Sequence, residues 1–246
     1  MAQIMSVFNA KGGVGKTTTT LNLGKALNMM GFRILLLDLD PQANLSQSLG
    51  VENEEHTITD VFNQSIDSLP IKKVGDFFHL VPSSLELTAV EPSLYSNIKS
   101  YLLIKKRLEP IQEEYDFVII DCPPSLGILT QNALIASNNV LIIVQAQFLA
   151  LRGMETVYSL IGSIRDDLNH DISVLGLLVT QVNHTRLSKE IIQSLKERFQ
   201  EKVFETSIRQ NVALAEASLN KKDIFTYSPQ SLGAEDYMNL AKEILK

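Results

Sequence analysis

The sequence predicts a doubly wound α/β fold, a mostly parallel sheet with helices on both faces, and three observations carry that prediction. Apolar runs recur at residues 4–8, 34–38, 78–81, 117–121, 140–144 and 174–182, and most are continuous rather than alternating. Continuous runs of strand length suit strands covered on both faces. Segments of helical period lie between most of them, and alternating β and α elements build parallel sheets. A glycine-rich turn, NAKGGVGKTT at 9–18, joins the first run to the first helical segment.

Taken in order, residues 4–8 (IMSVF) are the first strand, 9–15 the turn, and Lys16 opens a helix that reaches about residue 30. ILLLD at 34–38 is the second strand. From 50 to 92 the pattern is least regular and predicts short helices and loops around the strand FHLV at 78–81. Helices follow over 100–114, 126–138, 150–168, 188–200 and 232–245, with strands FVIID (117–121), VLIIV (140–144) and VLGLLVTQV (174–182) placed among them. No repeat or low-complexity linker interrupts the chain, so residues 1–246 read as a single domain.

Composition narrows the function classes. Hydrophobic residues make up 45% and charged residues 20%, the balance of a soluble globular protein. Cys122 is the only cysteine, which rules out an intrachain disulfide and a cysteine-only metal site within one chain and suits a reducing cytosol. No secretory signal precedes residues 4–8 and no apolar run reaches membrane-spanning length, so a cytoplasmic protein is expected. Net charge is −6, with no global pull toward nucleic acid. Residues 1–180 hold 12 Lys and Arg against 19 Asp and Glu, whereas residues 181–246 hold 10 against 9, so any basic patch is expected in the last quarter.

The turn between the first strand and helix has the context of a phosphate-binding loop. Gly12, Gly13 and Gly15 let backbone N–H groups face an anion, and the start of the helix adds its positive dipole end. Lys16 can reach the β- and γ-phosphates, and the Thr17 hydroxyl can ligate Mg²⁺. The strict pattern fails at its first position, where Ala10 stands. Two further strands end in acids. Asp38 and Asp40 close ILLLDLD, where a period of two puts both on one face, and Asp40 falls at the carboxyl end where such sheets bind ligands. Asp121 closes FVIID in the position of a Walker B aspartate that holds Mg²⁺ through water, and Pro123 and Pro124 stiffen the loop behind it. Capping of the next helix or turn is the competing reading for all three acids.

With these segments in place the chain resembles a known family. KGGVGKTT (11–18) resembles the deviant Walker A box of the ParA/MinD ATPases. DLDPQAN (38–44) resembles their switch-I motif and IIDCPPS (119–125) their Walker B and switch-II segment. NVALAEA (211–217) and SLGAEDYMNLA (231–241) are similar to ParA/Soj blocks. The resemblance implies a P-loop ATPase that uses ATP and Mg²⁺, with Lys11, Gly12, Gly13, Val14, Gly15, Lys16, Thr17 and Thr18 at the nucleotide. It implies that two protomers sandwich two ATP molecules and that Lys11 crosses to the partner's phosphates. It further implies that Asp40 orients the attacking water beside the metal and that Asp121 orders a Mg²⁺-bound water, with slow intrinsic turnover. The family's I-P-R-N block beside adenine reads IRQN at 208–211 here, which leaves Arg209 as its arginine. Asn183, just past a strand, either reads the base edge or forms a turn.

A ParA-type reading also implies an ATP-bound homodimer on non-specific DNA, associated with the nucleoid, and a ParB-like or other adaptor that stimulates hydrolysis. Its cargo would be a plasmid, a chromosome origin or a protein organelle. Phosphate contacts would come from Arg186, Lys189, Lys196, Arg198, Arg209, Lys221 and Lys222, most of which sit beside acids and read equally as solvated helix charges. The P-loop begins so early that no helix-turn-helix precedes it in this sequence. A MinD-like membrane-cycling ATPase is the alternative. It needs a basic amphipathic tail, and NLAKEILK (239–246) carries Glu243 and no aromatic anchor. An iron–sulfur reductase of the nitrogenase type needs two cysteines per chain, and Cys122 is alone.

Overall fold

The computed structural model describes residues 1–147 and 153–246. Its elements run β1 (Gln3–Phe8), α1 (Lys16–Met29), β2 (Ile34–Asp38), α2 (Asn44–Ser48), α3 (Ile58–Phe62), β3 (Lys72–Gly75), β4 (Phe78–Val81), α4 (Leu87–Leu94) and α5 (Leu103–Leu108). They continue with β5 (Phe117–Asp121), α6 (Ile128–Ala136), β6 (Asn139–Gln145), α7 (Met154–Asp167), β7 (Ser173–Thr180), α8 (Arg186–Phe199), α9 (Val212–Leu219), α10 (Ile224–Tyr227) and α11 (Leu232–Ile244). The strands form one sheet in the order β3-β4-β2-β5-β1-β6-β7. Every neighbouring pair is parallel except β3 with β4.

The apolar runs are continuous because alternate residues enter two different cores. Ile4 and Phe8 of β1, Leu35 and Leu37 of β2, Val118 and Ile120 of β5, and Val140, Ile142 and Val144 of β6 pack on one face. Met5 and Val7, Ile34 and Leu36, Phe117 and Ile119, and Leu141 and Ile143 pack on the other. The first face is covered by α3 to α8, through residues such as Ile58, Leu87, Ile104, Leu129, Ile161 and Leu195. The second is covered by α1, α9 and α11, through Leu23, Leu27, Leu214, Tyr237 and Leu240. The apolar side of α11 is therefore spent on the core, where it packs along α1. Among the described residues no helix is long and apolar enough to cross a membrane.

Three local expectations differ from the structure. The helix expected over 100–114 is a 3₁₀ turn, Ile98–Leu102, followed by the short α5. It ends before Pro110, which has no N–H to continue the ladder. The helix expected from 150 begins at Met154, and residues 150–152 of that expectation lie outside the described residues. β3 was not anticipated. Its KKVG sequence is polar and only partly buried, as an edge strand with one neighbour permits.

Candidate functional site

The central strands β2, β5 and β1 deliver three chemical groups to one end of the sheet. Asp121 at the end of β5 sits opposite Val7 of β1 on one side and Asp38 of β2 on the other. The loop after β1 turns through Gly13 (φ 72°) and Gly15 (φ 97°), left-handed conformations that a side chain would strain. Gly15 caps α1 with no side-chain acceptor, and no acid stands in the first turn, so this helix start is open to an anion. A cleft of about 700 Å³ opens here, lined by Gly12, Gly13, Gly15, Lys16, Thr17, Thr18 and Asp40 and closed opposite by Gln42, Asn44, Gln47, Pro124, Leu219 and Lys221.

Lys16 is buried and donates to the carbonyl of Lys11 at 3.1 Å. Burial pushes its pKa below the usual range, and the nearby Asp121, Cys122 and Asp40 pull against that shift. The Thr17 hydroxyl donates to Asp121 Oδ2 at 2.6 Å. The other carboxylate oxygen, Asp121 Oδ1, is buried and has no hydrogen-bond partner. Burial raises the Asp121 pKa well above the usual carboxylate range, and Asp38 adds to the rise. A cation at this point would relieve both the orphaned acceptor and the like-charge pair. Among the described residues no three His, Cys, Asp or Glu side chains cluster to hold a metal by themselves. Mg²⁺ keeps waters and shares phosphate oxygens with one or two protein ligands, a number that Thr17 and Asp121 can supply.

Asp38 and Asp40 have parted company. β2 ends at Asp38, so the shared face expected from a period of two does not extend to Asp40. Asp38 is fully buried, where Oδ2 accepts from Ser46 N (2.9 Å) and Ser46 Oγ (2.7 Å) and Oδ1 accepts from Asp40 N (3.2 Å). It staples the start of α2 to the sheet. Asp40 lines the cleft instead, and its Oδ1 accepts from Gln42 N at 2.9 Å. Val14 does not line this cleft: its side chain is buried in the core and its carbonyl accepts from Thr180 Oγ1 at 2.7 Å.

The two loop lysines face different spaces. Lys11 does not line the cleft that holds Lys16. It is exposed, borders a separate cavity of about 370 Å³, and donates to Gln145 Oε1 at 2.9 Å and Gln147 Oε1 at 2.7 Å.

A second pocket of about 240 Å³ adjoins the cleft through Gly15, Thr18 and Gln181 and is walled by Thr180, Ile208, Gln210, Leu214 and Tyr237. Thr180, Gln181 and Tyr237 were not anticipated from sequence. Arg209 borders the pocket, but its guanidinium is held by Asp236 and by Glu235 Oε2 at 2.6 Å. Asn183 lines neither space. Its Oδ1 accepts from Thr185 N and from Ser188 Oγ, which makes it a turn residue ahead of α8. Of the expected phosphate-contact residues, Arg186 pairs with Glu190, Lys196 with Glu205, Arg198 with Glu155, Arg209 with Asp236, and Lys221 with Glu52. Among the described residues, Lys189 and Lys222 stand in no ion pair.

A parallel sheet whose central strands end on a glycine turn, a buried lysine and a Thr–Asp pair defines a P-loop nucleotide-binding protein. A family model described as an AAA domain matches residues 2–174. The chain is 40% identical over 249 residues to the sporulation initiation inhibitor protein Soj of Bacillus subtilis, covering 99% of this chain and 98% of that one. It is 34% identical over 252 residues to the chromosome partitioning protein ParA of Myxococcus xanthus, covering 100% and 89%. Among solved structures, cobyrinic acid a,c-diamide synthase of Mycobacterium smegmatis with bound ADP and magnesium matches with a TM-score of 0.87 at 30% identity, over 100% of this chain and 94% of that one. The chain belongs to the ParA/Soj family of partition ATPases.

Proposed function

We propose that this chain is an ATP-dependent dimerising ATPase that binds DNA non-specifically and positions or segregates a cargo. One observation carries the proposal: the P-loop holds two lysines that face different spaces, Lys16 buried in the cleft and Lys11 exposed outside it. A lysine that turns away from its own cleft yet sits in the phosphate loop has a natural use on a neighbouring protomer's phosphates.

In this reading the open start of α1 and the N–H groups of Gly12 to Thr18 hold the β- and γ-phosphates, and Lys16 exchanges the Lys11 carbonyl for them. Thr17, which donates to Asp121, and Asp121, whose Oδ1 has no partner, would hold Mg²⁺, Thr17 through its free oxygen lone pair and Asp121 through water. Bound Mg²⁺ supplies charge neutralisation on the transferring phosphoryl group. Asp40, on the cleft wall, orients the attacking water. The pocket between Thr180 and Tyr237 takes the base, with Arg209 holding the wall rather than reading the ring. Lys11 from the second protomer adds positive charge to the transition state and makes ATP part of the interface.

DNA contacts would draw on surface cations. Lys189 and Lys222 are in no ion pair, and exposed pairs such as Arg186 with Glu190 are weak enough to exchange for phosphate. Dimerisation doubles the set. A ParB-like or other adaptor would time release by stimulating hydrolysis.

The test is light scattering with ATP, ADP and no nucleotide on wild type and Asp40→Ala, followed by duplex-DNA binding on the same samples. Asp40→Ala should dimerise with ATP, stay monomeric with ADP, and bind random-sequence DNA only as the dimer. A chain that stays monomeric with ATP refutes the dimer, and a dimer that ignores DNA at low salt refutes the DNA reading alone.

A further inference from the structure

We propose that Gln145 and Gln147 are positioning residues for Lys11, holding it on its own protomer until another protomer's nucleotide replaces them. This rests on the reading of Lys11 as a lysine donated across a dimer. Gln145 is the last residue of β6, and Gln147 follows two residues later. Both turn a carboxamide oxygen to the Lys11 ammonium, at 2.9 Å and 2.7 Å. The Lys11 backbone is held as well, because its N–H donates to Asn9 Oδ1 at 2.9 Å.

The contact continues into the phosphate loop. Gln145 Nε2 donates to Gln181 Oε1, and Gln181 Nε2 donates to the Gly13 carbonyl at 2.7 Å. The direction of this chain of amides is set by its ends. An ammonium only donates and a backbone carbonyl only accepts, so one orientation of Gln145 and Gln181 satisfies every member. Lys11 and Gly13 are thus joined twice, through two peptide bonds and through a side-chain relay from Gln145, the last residue of β6, and Gln181, the first residue past β7. Loop movement around phosphate shifts the Gly13 carbonyl and is felt at the Lys11 head. The relay also explains why a long, exposed lysine has a defined place: two neutral acceptors replace water without cancelling its charge. A carboxylate there would compete more strongly with phosphate for the ammonium than either amide does.

The experiment reads Lys11 directly in the nucleotide-free monomer. Wild type, Gln147→Ala, Gln145→Ala and Gln147→Glu are pulsed with a limiting acetylating reagent, and Lys11 modification is followed by peptide mass spectrometry relative to the exposed Lys106. Losing a charge-assisted bond should raise Lys11 acetylation about fivefold in either alanine variant, and Gln147→Glu should lower it by a similar factor. In parallel, the ATP concentration that half-dimerises the chain should fall in the alanine variants and rise in Gln147→Glu. Opposite responses to alanine and glutamate are not expected of a merely structural role. Lys11 acetylation within twofold of wild type in all three variants, with ATP-dependent dimerisation intact, overturns the positioning role alone. Responsive acetylation in a wild type that never dimerises keeps the tether and overturns the dimer reading on which its purpose depends.

Discussion

Replacing Arg209 by alanine tests whether this arginine serves a ligand or the fold. Its guanidinium donates to both oxygens of Asp236 and to Glu235, and its backbone N–H also donates to Asp236 Oδ2 at 2.9 Å. The Asp236 side chain is only 6% exposed, whereas that of Arg209 is 34% exposed. Hydrogen bonds donated to Asp236, then to Glu235, hold the Arg209 pKa above its ordinary value, so the guanidinium stays charged. Removing one partner of a fully buried pair costs about 3–5 kcal/mol. Here the guanidinium is partly solvated and Asp236 keeps one backbone donor, which brings the loss to about 2–3 kcal/mol. For a chain of this length that is a fall of about 5–10 °C in Tm. Thermal unfolding by circular dichroism, without nucleotide, measures it, and the Arg209→Ala/Asp236→Ala double variant should recover part of the loss because no buried charge remains unpaired. A Tm within 2 °C of wild type, combined with a tenfold loss of DNA or nucleotide affinity, would refute the structural reading and return Arg209 to the ligand.

Three further substitutions follow from the same structure. Thr17→Val removes the hydroxyl from Asp121 and should weaken ADP binding about tenfold or more with Mg²⁺ but little without it. Calorimetric titration in both conditions checks this, and equal losses would place Thr17 outside the metal site. Gly24→Ala and Gly162→Ala should move stability in opposite directions. At Gly24 an added Cβ would sit 2.7 Å from Leu36 Cδ2 in a full core, so overpacking of about 1–3 kcal/mol exceeds a helix-propensity gain of about 1 kcal/mol. At Gly162 nothing lies within 4 Å, and only the gain remains. Urea unfolding of both variants decides, and shifts of the same sign would contradict the packing argument.

The sequence by itself determined the sheet's central strands and the phosphate loop. A strand buried on both faces must be apolar at every position, so runs such as ILLLD and FVIID announce themselves without knowledge of their neighbours. The glycine turn, Lys16 and Thr17 are legible for a similar reason: the loop and the helix start that form the anion site are contiguous in the chain. The tertiary structure decided what depends on residues far apart. DLD reads as two aspartates on one face and leaves the use of Asp38 open, but Ser46 claims Asp38 and leaves only Asp40 at the cleft. Arg209 looks like a free cation until Asp236, on α11, reaches it. The pocket beside the cleft gathers Thr18, Thr180, Ile208 and Tyr237 from four places in the chain. The hold on Lys11 comes from glutamines 134 and 136 residues away, brought there because β6 lies beside β1. Periodicity records which face a residue turns to the core. It carries no record of which distant donor or acceptor will meet it, and that pairing separates a ligand-binding side chain from one already spent on the fold.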